Sequence, residues 1–182
     1  MIRDDNHPYN TRGGGLLKWF LNDQWIDSID IRYPETEGFT FWGTDGPYGR
    51  ADDVFQGSIG NCWFMHGASA VAQVPNRIEK VFLNDSLSNT GIYGCQMYAL
   101  GVPVTVTVDD VLPLDDDGHT VFAKVGSDQA LWPLVLEKCF AKLHGNYEAI
   151  IGGDPADSIK TLIGSPSEYT RHTAGMKDGS AR

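Results

Sequence analysis

Hydrophobic residues recur at helical spacing towards the C-terminal part of the chain. Between residues 131 and 145 they fall at every third or fourth position, so that they share one face of a helix. These residues are Trp132, Val135, Leu136, Cys139, Phe140 and Leu143. Glu137, Lys138 and Lys142 fall on the other side, and Gly145 follows as a C-cap. The pattern predicts an amphipathic helix that packs its apolar stripe on a core.

A different period runs through residues 102–108, where valine alternates with threonine or proline. This alternation predicts a strand with one buried and one wetter face. Residues 92–100 also indicate a strand, and Gly101 supplies a tight turn between the two. A turn at residues 115–118 leads to a third short strand, predicted over residues 119–125. The spacing therefore predicts a small antiparallel sheet.

A second helix is predicted directly after a glycine-containing loop. Residues 56–61 read Gln-Gly-Ser-Ile-Gly-Asn, and Asn61 is a favourable N-cap residue. Cys62 then opens a run rich in Met, Ala and Val that continues through Ala72. The pattern predicts a buried helix whose first residue is Cys62.

The two ends of the chain carry weaker patterns. Residues 1–15 are polar and end in three glycines, which predicts a flexible lead-in. Residues 16–31 are apolar enough to dock on a core, as short helices or as strands. Residues 33–49 mix aromatic residues with proline and glycine, which indicates an irregular segment wrapped over the domain. Residues 166–182 have too few apolar side chains to fold alone.

Composition narrows the class of protein. The chain has 182 residues, 41% of them hydrophobic, which fits one folded domain with tails. Twenty-four acidic and fourteen basic residues give a formal charge of −10, which argues against a nucleic-acid partner. No apolar run is long enough for a membrane span. The three cysteines form no C-x-x-C pair, so neither a zinc site nor a disulfide framework is indicated, and a reducing cytoplasm fits best.

Cys62 is the candidate nucleophile of the chain. At the start of a helix, unpaired N–H groups and aligned peptide dipoles favour negative charge, so the thiolate forms more easily than in a free cysteine. The glycines of the preceding loop allow the carboxamide of Gln56 to lie beside the sulfur. Together with the Cys62 N–H, that carboxamide would form an oxyanion hole. Cys95 and Cys139 are interpreted as core residues.

Four motifs resemble the first protease subdomain of the calpain family, the intracellular papain-like cysteine proteases. They occur in the same order as in that family and together cover roughly residues 50–164. The motifs are residues 56–65 around Cys62, the strands and the Val-Asp-Asp-x-Leu-Pro turn within residues 90–93 and 106–113, the Trp-led helix 131–149, and the glycine pair 152–153.

The resemblance implies an α+β fold, a papain-like half-domain with a central helix and a small antiparallel sheet. It places this subdomain at residues 50–165. Residues 1–49 are then a partly docked N-terminal extension, and residues 166–182 are a flexible tail.

The resemblance also implies a calcium-dependent cysteine endopeptidase acting on proteins or peptides. Cys62 would be the nucleophile and Gln56 an oxyanion donor, while Trp63, Gly152 and Gly153 would contact substrate. A plain turn is the alternative for the glycine pair.

In calpains the catalytic histidine and asparagine lie on a second subdomain further along the chain, and we expect this sequence to end before it. That subdomain would be a required partner. His66, four residues after Cys62, is the sequence-local candidate base, but a core histidine with satisfied hydrogen bonds is the favoured interpretation. A catalytically inactive, calpain-like protein-binding module therefore remains the alternative function.

Calcium is the implied cofactor, with departures from the family pattern. Asp53 occupies the family's aspartate position, and carbonyls of residues 46–49 are further candidate ligands. The family's glutamate position holds Ala130, so calcium binding is expected to be weaker. Asp128, two residues earlier, would substitute if the loop bends differently.

Overall fold

The computed structural model describes residues 19–21, 24–30, 38–46, 50–114, 119–126, 128–168 and 170. Over these ranges the fold is α+β, as predicted, with four α-helices, five strands and two short 3₁₀ helices. The helices are α1 (Cys62–Ala72), α2 (Pro75–Glu79), α3 (Trp132–His144) and α4 (Pro155–Ile163). The strands are β1 (Trp19–Leu21), β2 (Gln24–Asp30), β3 (Ile92–Ala99), β4 (Val102–Asp109) and β5 (Val111–Leu114), and the 3₁₀ helices are Arg50–Asp53 and Glu148–Ile150.

Several predictions concern residues outside these ranges. They are the lead-in over residues 1–15, the carbonyl ligands at residues 47–49, the acidic turn at residues 115–118 and the tail beyond residue 170.

Strands β3 and β4 form the predicted antiparallel hairpin, with Cys95 opposite Val106. Leu100 and Gly101 both have positive φ, 51° and 81°, which is the turn geometry that matches the right-handed twist of paired strands. Val106 is buried while its neighbours Thr105 and Thr107 are exposed, so the predicted alternation of faces is confirmed there. The buried face packs against α3.

The second sheet has the order β1-β2-β5, with both pairings antiparallel. For residues 16–31 the sequence allowed either short helices or strands. The described part of this stretch forms two strands, β1 and β2. Strand β5 was not predicted, because its residues fall within a motif that indicated a turn. It pairs with β2 through contacts such as Ile29 opposite Leu112, more than eighty residues apart in sequence.

The prediction of a third strand over residues 119–125 is wrong. The segment is irregular, because its backbone groups bond to different parts of the chain instead of to one partner strand. The Val121 N–H donates to the Pro113 carbonyl at 3.0 Å, and the Val121 carbonyl accepts the Ser58 N–H at 2.9 Å. This segment consequently lies between β5 and the loop that precedes α1.

Helix α1 lies at the centre of the core, with Phe64, Ala68 and Ala72 at most 1% exposed. It stacks Phe64 on Phe140 of α3, with ring centroids 4.0 Å apart. On another side it packs against α4.

Helix α3 has the predicted bounds and C-cap, but its charged side was placed wrongly. Glu137 and Lys138 are 1% and 7% exposed, whereas Lys142 is exposed. Lys138 pairs with the Asp109 carboxylate and donates to the Asp109 carbonyl at 3.2 Å. The reason is that the hairpin covers α3 on one side and the segment at residues 119–126 approaches it on another.

Among the residues that the structure describes, no helix is both long and apolar enough to cross a membrane.

Candidate active site

The Cys62 side chain is exposed at the first residue of α1. The Asn61 carbonyl starts this helix by accepting the N–H groups of Phe64 and Met65 at 2.9 and 3.1 Å. The backbone N–H at a helix start has no partner inside the helix, and it points towards groups that approach from outside. The structure therefore places an accessible thiol at the positive end of a buried helix.

Asn61 occupies the predicted N-cap position, but its side chain does not cap the helix. Its Nδ2 instead donates to Glu137 Oε1 at 2.6 Å, and its Oδ1 is buried without a hydrogen-bond partner. The prediction that the Asn61 side chain caps the helix is wrong, because that side chain is hydrogen-bonded to the buried carboxylate of Glu137 instead. The N–H groups of the first turn are consequently not capped by the Asn61 side chain.

Gln56 lies in the loop that leads to Cys62. Its Nε2 donates to the Ile59 carbonyl at 2.7 Å, and the same carbonyl accepts the Asn61 N–H at 2.9 Å. The loop is thus folded on itself, and the carboxamide is held against the turn that ends at Cys62. A carboxamide has two N–H bonds, and this contact uses one.

The structure brings the three predicted substrate-contacting residues next to this loop. The Gly152 N–H donates to the Gly60 carbonyl at 2.9 Å, and Trp63 Nε1 donates to the Ile150 carbonyl at 2.9 Å. Gly153 lies against the indole ring of Trp63, so closely that a Cβ there would overlap the ring. The glycine pair therefore lies beside the start of α1, where the hydrogen bond between Gly152 and Gly60 holds it.

Glu137 is a site residue that the sequence reasoning missed. Its Oε1 contacts Asn61 as above, and its Oε2 accepts the Ala123 N–H at 2.8 Å. Burial raises the pKa of Glu137 to about 7, although these two donors and the charge of Lys124 act in the opposite direction. The burial of Glu137 could have been inferred from the apolar run at residues 131–136. A helix that is hydrophobic on all sides is buried, and a charged residue within such a helix is buried with it.

The described histidines are not hydrogen-bonded to Cys62. His66 is exposed one turn further along α1, so the interpretation of it as a core histidine is wrong. The reason is that residues i and i+4 share a helix face, and Cys62 lies on the exposed one. His144 is the last residue of α3, and its Nδ1 contacts the Phe140 carbonyl at 2.9 Å.

Three carboxylates form a cluster away from the thiol. One oxygen each of Asp45, Asp53 and Asp128 lies within 4.8 Å of the others. Asp53 is fully buried, and its Oδ2 accepts the Trp132 Nε1–H at 3.3 Å while its Oδ1 has no partner. Burial, together with contact to Asp128, raises the pKa of Asp53 to about 7. Such crowding of carboxylates around an unpartnered oxygen suits a hard cation.

The position of the family's glutamate has no ligand atom on its side chain, since Ala130 is fully buried and apolar. Asp128 reaches the cluster from two residues earlier, as the sequence analysis allowed. Its Oδ2 accepts the N–H groups of Thr44 and Asp45, the latter at 3.0 Å, and its Oδ1 has no partner. Asp45 was not anticipated, because it comes from a loop with no local metal-binding pattern.

Comparison with known families matches residues 39–179 to the calpain family cysteine proteases. The chain is 36% identical over 119 residues to the calpain-type cysteine protease DEK1 of Zea mays, which covers 65% of this chain and 6% of that protein. It is 34% identical over 134 residues to calpain-5 of Caenorhabditis elegans, covering 70% of this chain and 20% of that protein. To the human calpain-1 catalytic subunit it is 32% identical over 120 residues, covering 64% of this chain and 17% of that protein. The chain therefore spans a fifth or less of the length of these relatives.

Proposed function

Because this chain belongs to the calpain family of cysteine proteases, we propose that it carries the nucleophilic part of an intracellular, calcium-dependent endopeptidase. The observation that carries this proposal is the exposed thiol of Cys62 at the start of α1, bordered by the Gln56 loop and the glycine pair. Its substrates are proteins or peptides. The three free cysteines suit a reducing compartment such as the cytoplasm.

In the proposed reaction, the Cys62 thiolate attacks the carbonyl carbon of a peptide bond. The oxygen of the tetrahedral intermediate accepts hydrogen bonds from the Cys62 N–H and from the second Nε2–H of Gln56. Collapse breaks the C–N bond, and the amine leaves with a proton donated by a histidine. Water then attacks the thioester, giving the acid product and the free thiol.

The substrate groove is proposed to run along Gly152, Gly153 and Trp63. Gly152 is already bonded to Gly60 of the nucleophile loop, so substrate bound there would lie close to Cys62. A glycine presents its backbone groups without a side chain in front of them. The indole of Trp63 is 8% exposed and forms the wall behind Gly153.

The proton-transferring histidine and its orienting asparagine are proposed to lie on a second protease subdomain. This part of the proposal follows from the resemblance to calpains, in which both residues lie on a second subdomain. In this proposal residues 50–165 form the first subdomain, with residues 1–49 as a partly docked extension and residues 166–182 as a tail. The described part alone is then an incomplete catalytic core.

Calcium dependence is proposed to act through Asp45, Asp53 and Asp128. These residues fit a calcium ion because they offer hard oxygen ligands, two of them buried and without partners. A bound ion would neutralise three crowded carboxylates. In doing so it would connect the loop at residues 44–46, the 3₁₀ helix Arg50–Asp53 and the turn before α3.

The experiment that tests the proposal combines labelling with turnover. The purified chain is incubated with iodoacetamide or with a fluorogenic peptide, with and without calcium, and the labelled cysteine is identified by mass spectrometry. Cys62 should be alkylated faster than a free thiol such as glutathione at the same pH. Cys95 and Cys139, both fully buried, serve as internal controls that stay unlabelled until the chain is unfolded.

The two functions proposed for this chain differ in the outcome of that experiment. Slow turnover abolished by Cys62→Ala, and raised by addition of a histidine-bearing subdomain, supports the protease. An inactive protein-binding module is favoured instead if Cys62 reacts no faster than glutathione and no added subdomain restores turnover.

A further inference from the structure

The three carboxylates of the acidic cluster come from three separate segments, so their spacing depends on what joins these segments. Asp45 lies on the loop at residues 38–46, Asp53 on the 3₁₀ helix Arg50–Asp53, and Asp128 in the turn before α3. One oxygen of each lies within 4.8 Å of the others. Because negative charges this close repel one another, other contacts must hold the segments together.

Backbone hydrogen bonds join the loop to the turn before α3. The Thr40 N–H donates to the Gln129 carbonyl at 3.1 Å, and the Thr40 carbonyl accepts the Leu131 N–H at 3.0 Å. The Phe41 carbonyl accepts the Trp132 N–H at 3.0 Å. These three bonds fix the loop against the turn through main-chain atoms. Among the residues that the structure describes, no main-chain hydrogen bond joins the loop to the 3₁₀ helix.

The 3₁₀ helix is joined to the loop by the side chain of Arg50. This residue is 8% exposed, and its guanidinium carbon lies 4.2 Å from the centroid of the Trp42 ring. The guanidinium also pairs with the Glu79 carboxylate of α2. Arg50 is three residues before Asp53, and Trp42 is three residues before Asp45. The stack therefore connects the two segments whose carboxylates meet in the cluster.

Trp42 also contacts the residue that supports Asp53. Its ring packs on that of Trp132 in α3, with centroids 6.2 Å apart. Trp132 Nε1 in turn donates to Asp53 Oδ2 at 3.3 Å. A shift of Trp42 on loss of the guanidinium would therefore act on Asp53 as well as on the loop that carries Asp45.

The charge of Arg50 and its holding role predict opposite effects on a bound cation. A positive charge near the cluster repels a cation, so its removal should tighten binding. The ion pair with Glu79 offsets part of that repulsion. The holding role acts the other way, because ligands that are already in place avoid the cost of ordering them on binding. The sign of the change in affinity therefore separates the two effects.

We propose that Arg50 is a positioning residue for a calcium ion at the acidic cluster, an inference that rests on the proposed calcium dependence and names the contact that sets the affinity. By stacking on Trp42 and pairing with Glu79, it holds the 3₁₀ helix against the loop. Arg50 does not bind the ion, since a guanidinium has no acceptor atom. It determines instead whether Asp45 and Asp53 reach the same ion.

The test measures calcium affinity by calorimetric titration of the full chain and of two Arg50 variants. Arg50→Gln removes both the charge and the stack, whereas Arg50→Lys keeps the charge without the planar guanidinium. Both should raise Kd about 10-fold, the effect typical of losing a residue that supports metal ligands. A Kd that falls in Arg50→Gln, or is unchanged in Arg50→Lys, would overturn the inference.

Two control variants separate this contact from general effects of substitution. Lys160→Gln also removes one positive charge, from an exposed residue of α4 that pairs with Asp157. Gly67→Ala adds a methyl group against Ser158 and lowers stability at the contact between α1 and α4. Both should keep the Kd of the unmodified chain. If Gly67→Ala weakened calcium binding as much as Arg50→Gln, lost stability would account for the change and the inference would fail.

Hydrogen exchange of the unmodified chain gives a measurement that needs no variant. The hydrogen-bonded amides of Thr40, Thr44 and Asp45 should be protected before calcium is added, because the loop is already held. In Arg50→Gln they should exchange roughly 10-fold faster, and calcium should restore much of the protection. Amides that exchange freely in the calcium-free unmodified chain would contradict the holding role.

The role of Arg50 and the calcium site itself can fail separately. Asp128→Asn removes a carboxylate of the cluster and should abolish most of the binding. Calcium binding that is lost in Asp128→Asn but unchanged in both Arg50 variants would refute the role of Arg50 alone. An unmodified chain that binds no calcium would contradict both the role of Arg50 and the proposed calcium dependence.

Discussion

At the scale of single residues, the candidate site depends on contacts that leave almost no free space. Gly153 and the indole of Trp63 are closer than a side chain on residue 153 would permit. The indole also donates to the Ile150 carbonyl at 2.9 Å, so any displacement of the ring breaks this bond. The geometry of the proposed groove consequently requires glycine at position 153.

We expect Gly153→Ala to destabilise the chain by about 1–3 kcal/mol, because the added methyl group displaces a buried aromatic ring. Urea unfolding monitored by tryptophan fluorescence measures this change. Gly60→Ala is the matched control, since a Cβ at Gly60 would meet Ile151 at 3.7 Å, an ordinary contact. Equal stabilities for the two variants would contradict the expected overlap at Gly153.

At the scale of secondary-structure elements, α1 is held between α3 and α4. The contact with α4 is close because Gly67 lies against Ser158, whose single Oγ–H is shared between the Pro155 carbonyl at 2.7 Å and the Trp63 carbonyl at 3.3 Å. The contact with α3 combines the Phe64–Phe140 stack with the Asn61–Glu137 hydrogen bond. The helix that carries Cys62 is therefore positioned by one apolar and two polar contacts.

Gly67→Ala should push α1 and α4 apart and lower the free energy of unfolding by about 1–3 kcal/mol. The double variant Gly67→Ala with Ser158→Ala should recover part of this loss, because it removes the oxygen that the new methyl group overlaps. A double-mutant cycle by urea unfolding measures the coupling. Strictly additive effects would show that the two helices do not meet at this point.

Glu137 should make the stability of the fold pH-dependent. Its pKa in the folded chain, about 7, is raised above the ordinary 4.5. The folded state therefore binds the proton more tightly than the unfolded state does. The stabilisation of the fold that results is complete below pH 4.5 and is lost as pH rises through 7. The upper bound on this stabilisation, from the rise in the pKa of Glu137, is about 3 kcal/mol. The free energy of unfolding of the unmodified chain, minus that of Glu137→Gln, should decrease from pH 4.5 to 7, and parallel curves would contradict this.

At the scale of the whole molecule, the acidic cluster connects three segments that are distant in sequence. Asp45 comes from an irregular loop, Asp53 from the 3₁₀ helix and Asp128 from the turn before α3. The chain as a whole carries a formal charge of −10, so a cation here also reduces repulsion within the molecule. Binding at this point is expected to stabilise the fold and not only the loops.

Calcium should raise the melting temperature by roughly 5–10 °C when its free concentration is about 100-fold above Kd, because binding to the folded state alone adds about 2.7 kcal/mol. Differential scanning fluorimetry with calcium or magnesium, together with calorimetric titration, measures this effect. Asp128→Asn should remove most of the calcium response, whereas Asp157→Asn should retain it. A response that is unchanged in Asp128→Asn would exclude the cluster as the binding site.

The sequence alone predicted the elements whose signal is local. The hairpin of β3 and β4, the helix α3 and the start of α1 at Cys62 were all confirmed, since alternation, helical spacing and turn residues act between neighbours in the chain. The resemblance to calpains was likewise carried by contiguous motifs. Helix α4 and strand β5 were missed, because a short amphipathic helix and a four-residue strand give weak local patterns.

Only the tertiary structure decided which polar groups are buried and what they meet. By its spacing, Glu137 was assigned to the charged side of its helix, yet Asn61 and Ala123 from two other segments enclose it beside the start of α1. Asp128 and Asp45 join Asp53 through the path of two irregular loops, which no local pattern specifies. Helical spacing is set by neighbouring residues, whereas burial and charge environment are set by segments far apart in sequence. For this reason the position of Cys62 at the start of a helix could be predicted from the chain, whereas the buried groups packed around that helix start could not.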